Sequence, residues 1–163
     1  MLNPDPSVYD RIVRHLTAAG VVFRTVEHPP TLTSLEAARA RGEPLGCGAK
    51  ALVLKGDGAF RLFVLAADRK LQSKLIKTAL GLRDLRFATA EELLALTGLV
   101  PGGVPPFGEP VLPLPLFADI DLGTRFPHIA FNAGDLCRSI IMPAADWEEA
   151  ARPVRLRFAA EEA

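Results

Sequence analysis

Apolar positions along this chain follow two periods. Val8, Ile12, Val13 and Leu16 recur at helical spacing behind Ser7, and Gly20 stands where such a helix would stop. Residues 7 to 19 are therefore expected to form an amphipathic helix. Val21-Val22-Phe23-Arg24-Thr25-Val26 is β-branched and aromatic, which predicts a strand broken by His28-Pro29-Pro30. Thr33-Ser34-Leu35-Glu36 has the spacing of a capping box, opening a short helix that ends at Gly42. The apolar runs 49–54 and 60–66 flank Gly56-Asp57-Gly58 and predict a hairpin of two largely buried strands. Leu71, Leu75 and Ile76 mark a helix ending near Gly81, followed by a short strand at 85–88. A second capping box, Thr89-Ala90-Glu91-Glu92, opens a helix that runs out at Gly98. Strands are expected around 111–117, 128–131, 139–142 and 154–158, with a short helix at 146–150. Hairpins mixed with helical crossovers predict a single α/β domain with a mixed sheet.

The stretch between the second capped helix and the next strand obeys neither period. Gly98-Leu99-Val100-Pro101-Gly102-Gly103-Val104-Pro105-Pro106-Phe107-Gly108 holds four glycines, three prolines and no charged side chain. Glycine opens backbone angles closed to other residues, and proline fixes φ and removes a donor. A loop so written is stiff and lets a ligand approach the main chain, so it serves either as a tight structural crossing or as a cradle of amide donors. Read as G-x-x-P-G-x-V-x-P-F-G, it resembles the signature of the YbaK/prolyl-tRNA-synthetase-associated domain family, whose members hydrolyse mischarged aminoacyl-tRNA. Gly98, Pro101, Gly102, Val104, Pro106, Phe107 and Gly108 meet every fixed position. The resemblance spans the first helix to Trp147 and implies a partly closed mixed sheet or barrel surrounded by helices, the whole of 1–163 forming one YbaK-like editing domain.

Composition narrows the functional classes. The length suits one domain with a substantial core. Nineteen basic and nineteen acidic residues cancel, so RNA binding must rest on a local patch. Met-Leu-Asn-Pro-Asp-Pro lacks the basic and apolar regions of a signal peptide, and no apolar run is long enough to span a bilayer. Cys47 and Cys137 are too few for a disulfide framework and lack metal-ligand spacing. His15, His28 and His128 show no paired spacing either, so neither a zinc site nor any cofactor is expected. A cytoplasmic protein with reduced thiols, without membrane or DNA partners, fits these features.

Candidate chemistry falls on few positions. Lys50 stands at the entrance of the apolar strand 51–54, where an ammonium seeks solvent, a carboxylate or an anionic ligand. The resemblance implies a functional lysine here, holding the phosphate or ester region of the substrate. A lysine at the unperturbed pKa of about 10.4 would be protonated and a poor proton acceptor. Gly102 and Gly103 offer amides for an oxyanion, and the resemblance adds Gly98, Pro101, Phe107 and Gly108 as substrate-binding loop positions. Asn132 and Gly134, in Phe131-Asn132-Ala133-Gly134, look like a second family signature. Asn132 supplies a donor and an acceptor, although Asn-Ala-Gly is also a common turn. Ser139 is a weaker candidate, expected two strands' width from the site. Thr31 and Thr33 fall in a region that lines the amino-acid pocket in the family, Thr33 having a capping role already. Between Arg69 and Arg86 basic residues outnumber acidic ones, and Lys70, Lys74 and Lys77 are spaced to share one helix face. That face is the expected contact for tRNA phosphates.

The resemblance thus implies an aminoacyl-tRNA deacylase acting in trans, with tRNA(Pro) carrying alanine, cysteine or serine as the expected substrate. Mischarged tRNA is the expected partner, with prolyl-tRNA synthetase as a further one. Two other readings stay open at this stage: a non-catalytic tRNA- or synthetase-binding module of the same fold, and a small-molecule ester or thioester hydrolase. The chain departs from parts of the family at Gly46-Cys47-Gly48 and in the proline-rich segment 105–115, both of which bear on pocket size.

Overall fold

A computed structural model describes residues 6–161. The segment Met1–Asp5, read above as lacking leader character, lies outside the described residues. Helix α1 (Val8–Ala18) starts at Ser7, whose side chain accepts the Asp10 amide while Asp10 bonds the Ser7 amide in return. It buries Val8, Ile12 and Leu16. Strand β1 (Arg24–Glu27) is shorter than predicted. The Val21 amide is spent on the Leu16 carbonyl (3.0 Å) in closing α1, and Val22 remains 83% exposed. Helix α2 (Ser34–Arg41) opens on the predicted Thr33–Glu36 box and ends at Gly42, where φ is +69°.

The predicted hairpin is β2 (Ala49–Gly56) against β3 (Ala59–Ala66). Its two-residue turn, Asp57-Gly58, has positive φ at both positions, the twist that lets antiparallel strands meet tightly. Then come β4 (Arg69–Leu71), α3 (Ser73–Leu80), β5 (Arg86–Phe87) and α4 (Ala90–Thr97), the last opening on the Thr89–Glu92 box. Strands β6 (Leu116–Asp119), β7 (His128–Asn132) and β8 (Arg138–Pro143), helix α5 (Ala144–Ala151), and strands β9 (Val154–Leu156) and β10 (Ala159–Glu161) complete the order.

The main sheet runs β5-β2-β3-β6-β9 and is mixed: β2 is antiparallel to β3 and β5, whereas β3–β6 and β6–β9 are parallel. A second sheet, β1-β8-β7, is antiparallel, and β10 pairs with β4. The Gly48–Ala130 bridge ties the start of β2 to β7 and partly closes the structure without forming a barrel. Strand β3 is central, with Leu62, Phe63, Val64 and Leu65 fully buried. Leu62, Val64 and Ala66 join the cluster containing α1, β7 and Trp147, while Phe63 and Leu65 pack with Ile76 of α3 and Phe158. Burial of each such side chain contributes about 1.5–3 kcal/mol, so this strand anchors both layers.

Three further sequence expectations change. Residues 111–115 form no ladder, because Val111 and Leu112 turn their amides back to the Gly108 carbonyl (2.9 and 3.0 Å) and Pro113 and Pro115 have no amide to give. The last predicted strand, 154–158, ends at Leu156 as β9, and β10 follows beyond the predicted range. Lys70 and Leu71 belong to β4 rather than to the helix, so Lys70 does not share the α3 face that carries Lys74 and Lys77.

Candidate active site

Two concavities stand out among the described residues. The larger, about 950 Å³, lies between α1, the Gly108–Leu116 segment and α5. Of the sequence-predicted residues only Gly108 lines it. Its one imidazole, His15, is engaged through Nε2 with the Ala150 carbonyl at 2.8 Å. The smaller, about 180 Å³, sits where the start of α2, the start of β2, the Pro101–Val104 loop and the end of β7 converge. Thr31, Lys50, Gly102 and Asn132 all line it, together with Thr33, Arg41, Gly48 and Val104. The predicted residues Thr31, Lys50, Gly102 and Asn132 meet in the smaller one, which makes it the candidate site despite its size.

Each wall has a local cause. Thr33 and Glu36 fix the start of α2, while the Thr31 amide is held by the Leu136 carbonyl (3.2 Å). The Thr31 hydroxyl is sealed from solvent and has no hydrogen-bond partner among the described residues. Lys50 is placed by the β2–β3 register opposite Leu65, and its Nζ donates to the Arg69 carbonyl at 2.8 Å. Gly46 and Gly48 lead into β2, and Gly48 lines the cavity. A Cβ on Gly48 would stand 3.0 Å from that of Ala67, and one on Gly46 would meet Phe126 and Asp68 at 2.9 Å, so this Gly-Cys-Gly is dictated by packing.

The loop is organised around its main chain. Gly98 ends α4 in the left-handed region (φ +75°). The Gly103 amide closes a turn on the Val100 carbonyl (3.0 Å), and the Gly103 carbonyl accepts the Gly134 amide (3.1 Å). Gly103 is thus unavailable as an oxyanion donor. Among the described residues, the pocket-lining loop amides without a hydrogen bond are those of Gly102 and Val104. Phe107, Gly98, Gly108 and Pro101 do not line the cavity. Phe107 is 1% exposed and packs edge-on against His15 and Phe131. A Cβ on Gly108 would come within 2.6 Å of the Leu114 carbonyl oxygen. Gly134, with φ +92°, lets the backbone pass within contact of Val8 and Tyr9. Much of the loop signature therefore shapes the fold, and Gly102 carries the exposure to the cavity.

A polar network that the sequence did not announce locks this corner. Asn132 faces Ser139 directly across the β7–β8 pair, so the expected separation of two strands is corrected to direct contact. Arg41, 9% exposed at the end of α2, donates through Nε to Ser139 Oγ (2.8 Å) and through Nη2 to Asn132 Oδ1 (3.0 Å). Ser139 Oγ also donates to Asn132 Oδ1 (3.2 Å) and contacts His28 Nε2 (2.8 Å). With its oxygen so occupied, Asn132 turns Nδ2 to the Gly102 carbonyl at 2.7 Å. One side chain thereby connects a buried cation to the binding loop. Desolvation by burial pulls the Arg41 guanidinium down to about 10, which leaves it charged at neutral pH. Arg41 escaped sequence reading because Ala-Arg-Ala-Arg-Gly at a helix end resembles any solvated helix terminus.

The remaining candidates lie apart. Lys70, Lys74 and Lys77 do not line the cavity, and Lys70 and Lys74 are exposed. Cys47 is buried, donates to the His128 carbonyl at 3.0 Å, and has its thiol pushed up to about 11 by desolvation. It is an unsuitable nucleophile. Among the described residues, no group of three or more His, Cys, Asp or Glu side chains is arranged to hold a metal, and no helix is long and apolar enough to cross a membrane.

Comparison with known proteins places this geometry. The profile of the family described as aminoacyl-tRNA editing domain matches residues 28–150. The Multifunctional Ser/Thr-tRNA deacylase ProXp-y of Escherichia coli is 37% identical over 155 residues, covering 92% of each chain. A proline–tRNA ligase of Trichlorobacter lovleyi is 36% identical over 84 residues, which cover 51% of this chain and 15% of the ligase. A crystal structure described as a trans-editing enzyme for prolyl-tRNA synthetase superposes over the full length of both chains, with a TM-score of 0.80 and 29% identity.

Proposed function

The chain belongs to the aminoacyl-tRNA editing domain family, and from that premise we propose that it is an aminoacyl-tRNA deacylase. It acts as one editing domain on free mischarged tRNA in the cytoplasm. The observation that supports this reading is the meeting of Thr31, Lys50, Gly102 and Asn132 around one cavity of about 180 Å³. That volume is well below the ~300 Å³ at which drug-sized pockets begin, so the cavity suits a small aminoacyl group. Alanine, cysteine and serine on tRNA(Pro) are the substrates the loop signature suggests. The Ser/Thr-tRNA deacylase of Escherichia coli adds threonine and favours the hydroxylated pair.

In this reading the 3′-terminal ester enters with its carbonyl oxygen toward the Gly102 amide. Water attacks the carbonyl carbon, negative charge develops on that oxygen, and the ribose oxygen departs with a proton, giving free amino acid and tRNA. One preorganised amide contributes about two to three powers of ten to such a step. Among the described residues the cavity lining holds no His, Asp or Glu, and the family resemblance implies that the neighbouring ribose hydroxyl orients or activates the water. Lys50, held by the Arg69 carbonyl, faces the anionic part of the substrate. Lys74 and Lys77 on α3, with Lys70 on the preceding strand β4, supply phosphate contacts to the acceptor stem, and prolyl-tRNA synthetase is the partner that would deliver it.

The test is deacylation of tRNA(Pro) charged separately with alanine, cysteine, serine, threonine and proline. Rapid loss of one or more small non-cognate amino acids, with prolyl-tRNA spared, is expected. Absence of turnover on all five would overturn the proposal.

A further inference from the structure

Arg41 carries a feature that the deacylase reading leaves unused. Arginine has five N–H donors, and Ser139 and Asn132 take two of them. Among the described residues no carboxylate lies within 4 Å of its guanidinium; Glu43, which acts on it only through space, is bonded to Arg24 at 3.0 Å. Nη1 lies 3.6 Å from where a Cβ on Gly48 would stand, and both residues line the cavity. Among the described residues the cavity lining contains two cations, Arg41 and Lys50, and no Asp or Glu. Burying the Arg41 charge without a carboxylate in contact is costly, and a substrate anion would offset that cost.

We propose that Arg41 is a substrate-binding residue that, together with Lys50, seats an anionic oxygen of the bound aminoacyl-tRNA. The inference rests on the deacylase reading above. Two oxygens share this chemistry: a non-bridging phosphate oxygen of the terminal nucleotides, and the carbonyl oxygen of the ester as it becomes an oxyanion. Either arrangement turns the substrate's ammonium group away from the cation pair, so Arg41 also fixes which way the ester faces. The glycine at 48 keeps the approach to Nη1 open, and Asn132 and Ser139 hold the guanidinium plane in place.

The test compares Arg41→Lys, which keeps the charge, with Arg41→Gln, which keeps amide donors but not the charge. Single-turnover deacylation is measured on seryl-tRNA and on seryl-adenosine, which has no phosphate, across a salt series, with the melting temperature of each variant. Arg41→Gln is expected to lose at least tenfold in kcat/KM on seryl-tRNA, and Arg41→Lys to recover much of it. If the anion is phosphate, the loss vanishes on seryl-adenosine and the log–log salt dependence becomes shallower by about 0.7. If it is the oxyanion, the loss persists on seryl-adenosine and the salt slope is unchanged. Equal losses in both variants that merely follow melting temperature would overturn the inference, as would wild-type rates in Arg41→Gln. Should the wild type turn over no substrate, the deacylase reading fails first. Binding of the trinucleotide CCA by fluorescence anisotropy then decides the inference: unchanged affinity in Arg41→Gln overturns it, and a salt-sensitive loss supports it.

Discussion

Asn132 connects the buried cation to the binding loop, and its replacement separates stability from function. In Asn132→Ala, Arg41 Nη2 loses its acceptor and the Gly102 carbonyl loses its donor. A hydrogen bond to a charged group contributes about 1.5–3 kcal/mol and a neutral one about 1 kcal/mol. Ser139 can redirect its proton to His28 Nε2, already 2.8 Å away, so its loss adds little. The expected destabilisation is about 2–4 kcal/mol, or about 4–16 °C in melting temperature for a domain of this size. Asn132→Asp behaves differently: it keeps the acceptor for Arg41 and adds a full counter-charge, but it sets a carboxylate against the Gly102 carbonyl. Its melting temperature should stay near wild type, whereas deacylation should fall about a hundredfold, the scale of an ångström-sized misplacement of reacting groups. Calorimetry and single-turnover deacylation on the same preparations read both effects. Wild-type activity in Asn132→Asp, or a wild-type melting temperature in Asn132→Ala, would refute the role given to this side chain.

Other outcomes follow from the same geometry. Gly108→Ala places a Cβ 2.6 Å from the Leu114 carbonyl oxygen, and overpacking of this kind costs about 1–3 kcal/mol; urea unfolding should show it even though Gly108 lies outside the cavity. The Arg86 guanidinium, helped by the Thr89 amide, holds the Glu92 carboxyl down to about 2, and Arg125 holds Asp68 below its ordinary value. Carboxyls depressed in this way add stability above pH 4.5 that disappears as pH falls toward 2, so Glu92→Gln should flatten the acid limb of a stability–pH curve between those values. Thiol titration should find one fast equivalent, the exposed Cys137, with buried Cys47 reacting only on unfolding.

Much of this was legible in the sequence where the signal was local. Both predicted capping boxes form, because a hydroxyl and a carboxylate three residues apart satisfy orphan helix amides without help from elsewhere. The Asp57-Gly58 hairpin forms for a similar reason, its positive φ angles suiting those two residues. Long-range pairings left no such trace. Strand β4 exists because residues 69–71 meet 159–161 from the far end of the chain, and this pairing drew Lys70 out of the helix the spacing suggested. The site shows the same division. Lys50 and Gly102 were marked by a strand entrance and a glycine-proline loop, whereas Arg41 is functional in this account only because the β7–β8 register carries Ser139 and Asn132 under the end of α2. The loop signature itself mixed the two: Phe107 and Gly108 are fixed by packing, and Gly102 borders the cavity.

Single-turnover hydrolysis of seryl-tRNA by wild type and Lys50→Ala, with both proteins shown to be equally folded, probes the proposed centre most directly. Rapid release of serine by the wild type and its loss by at least a hundredfold in the variant is the predicted result. Equal rates in the two proteins would contradict the assignment of hydrolysis to the cavity beneath the Pro101–Val104 loop.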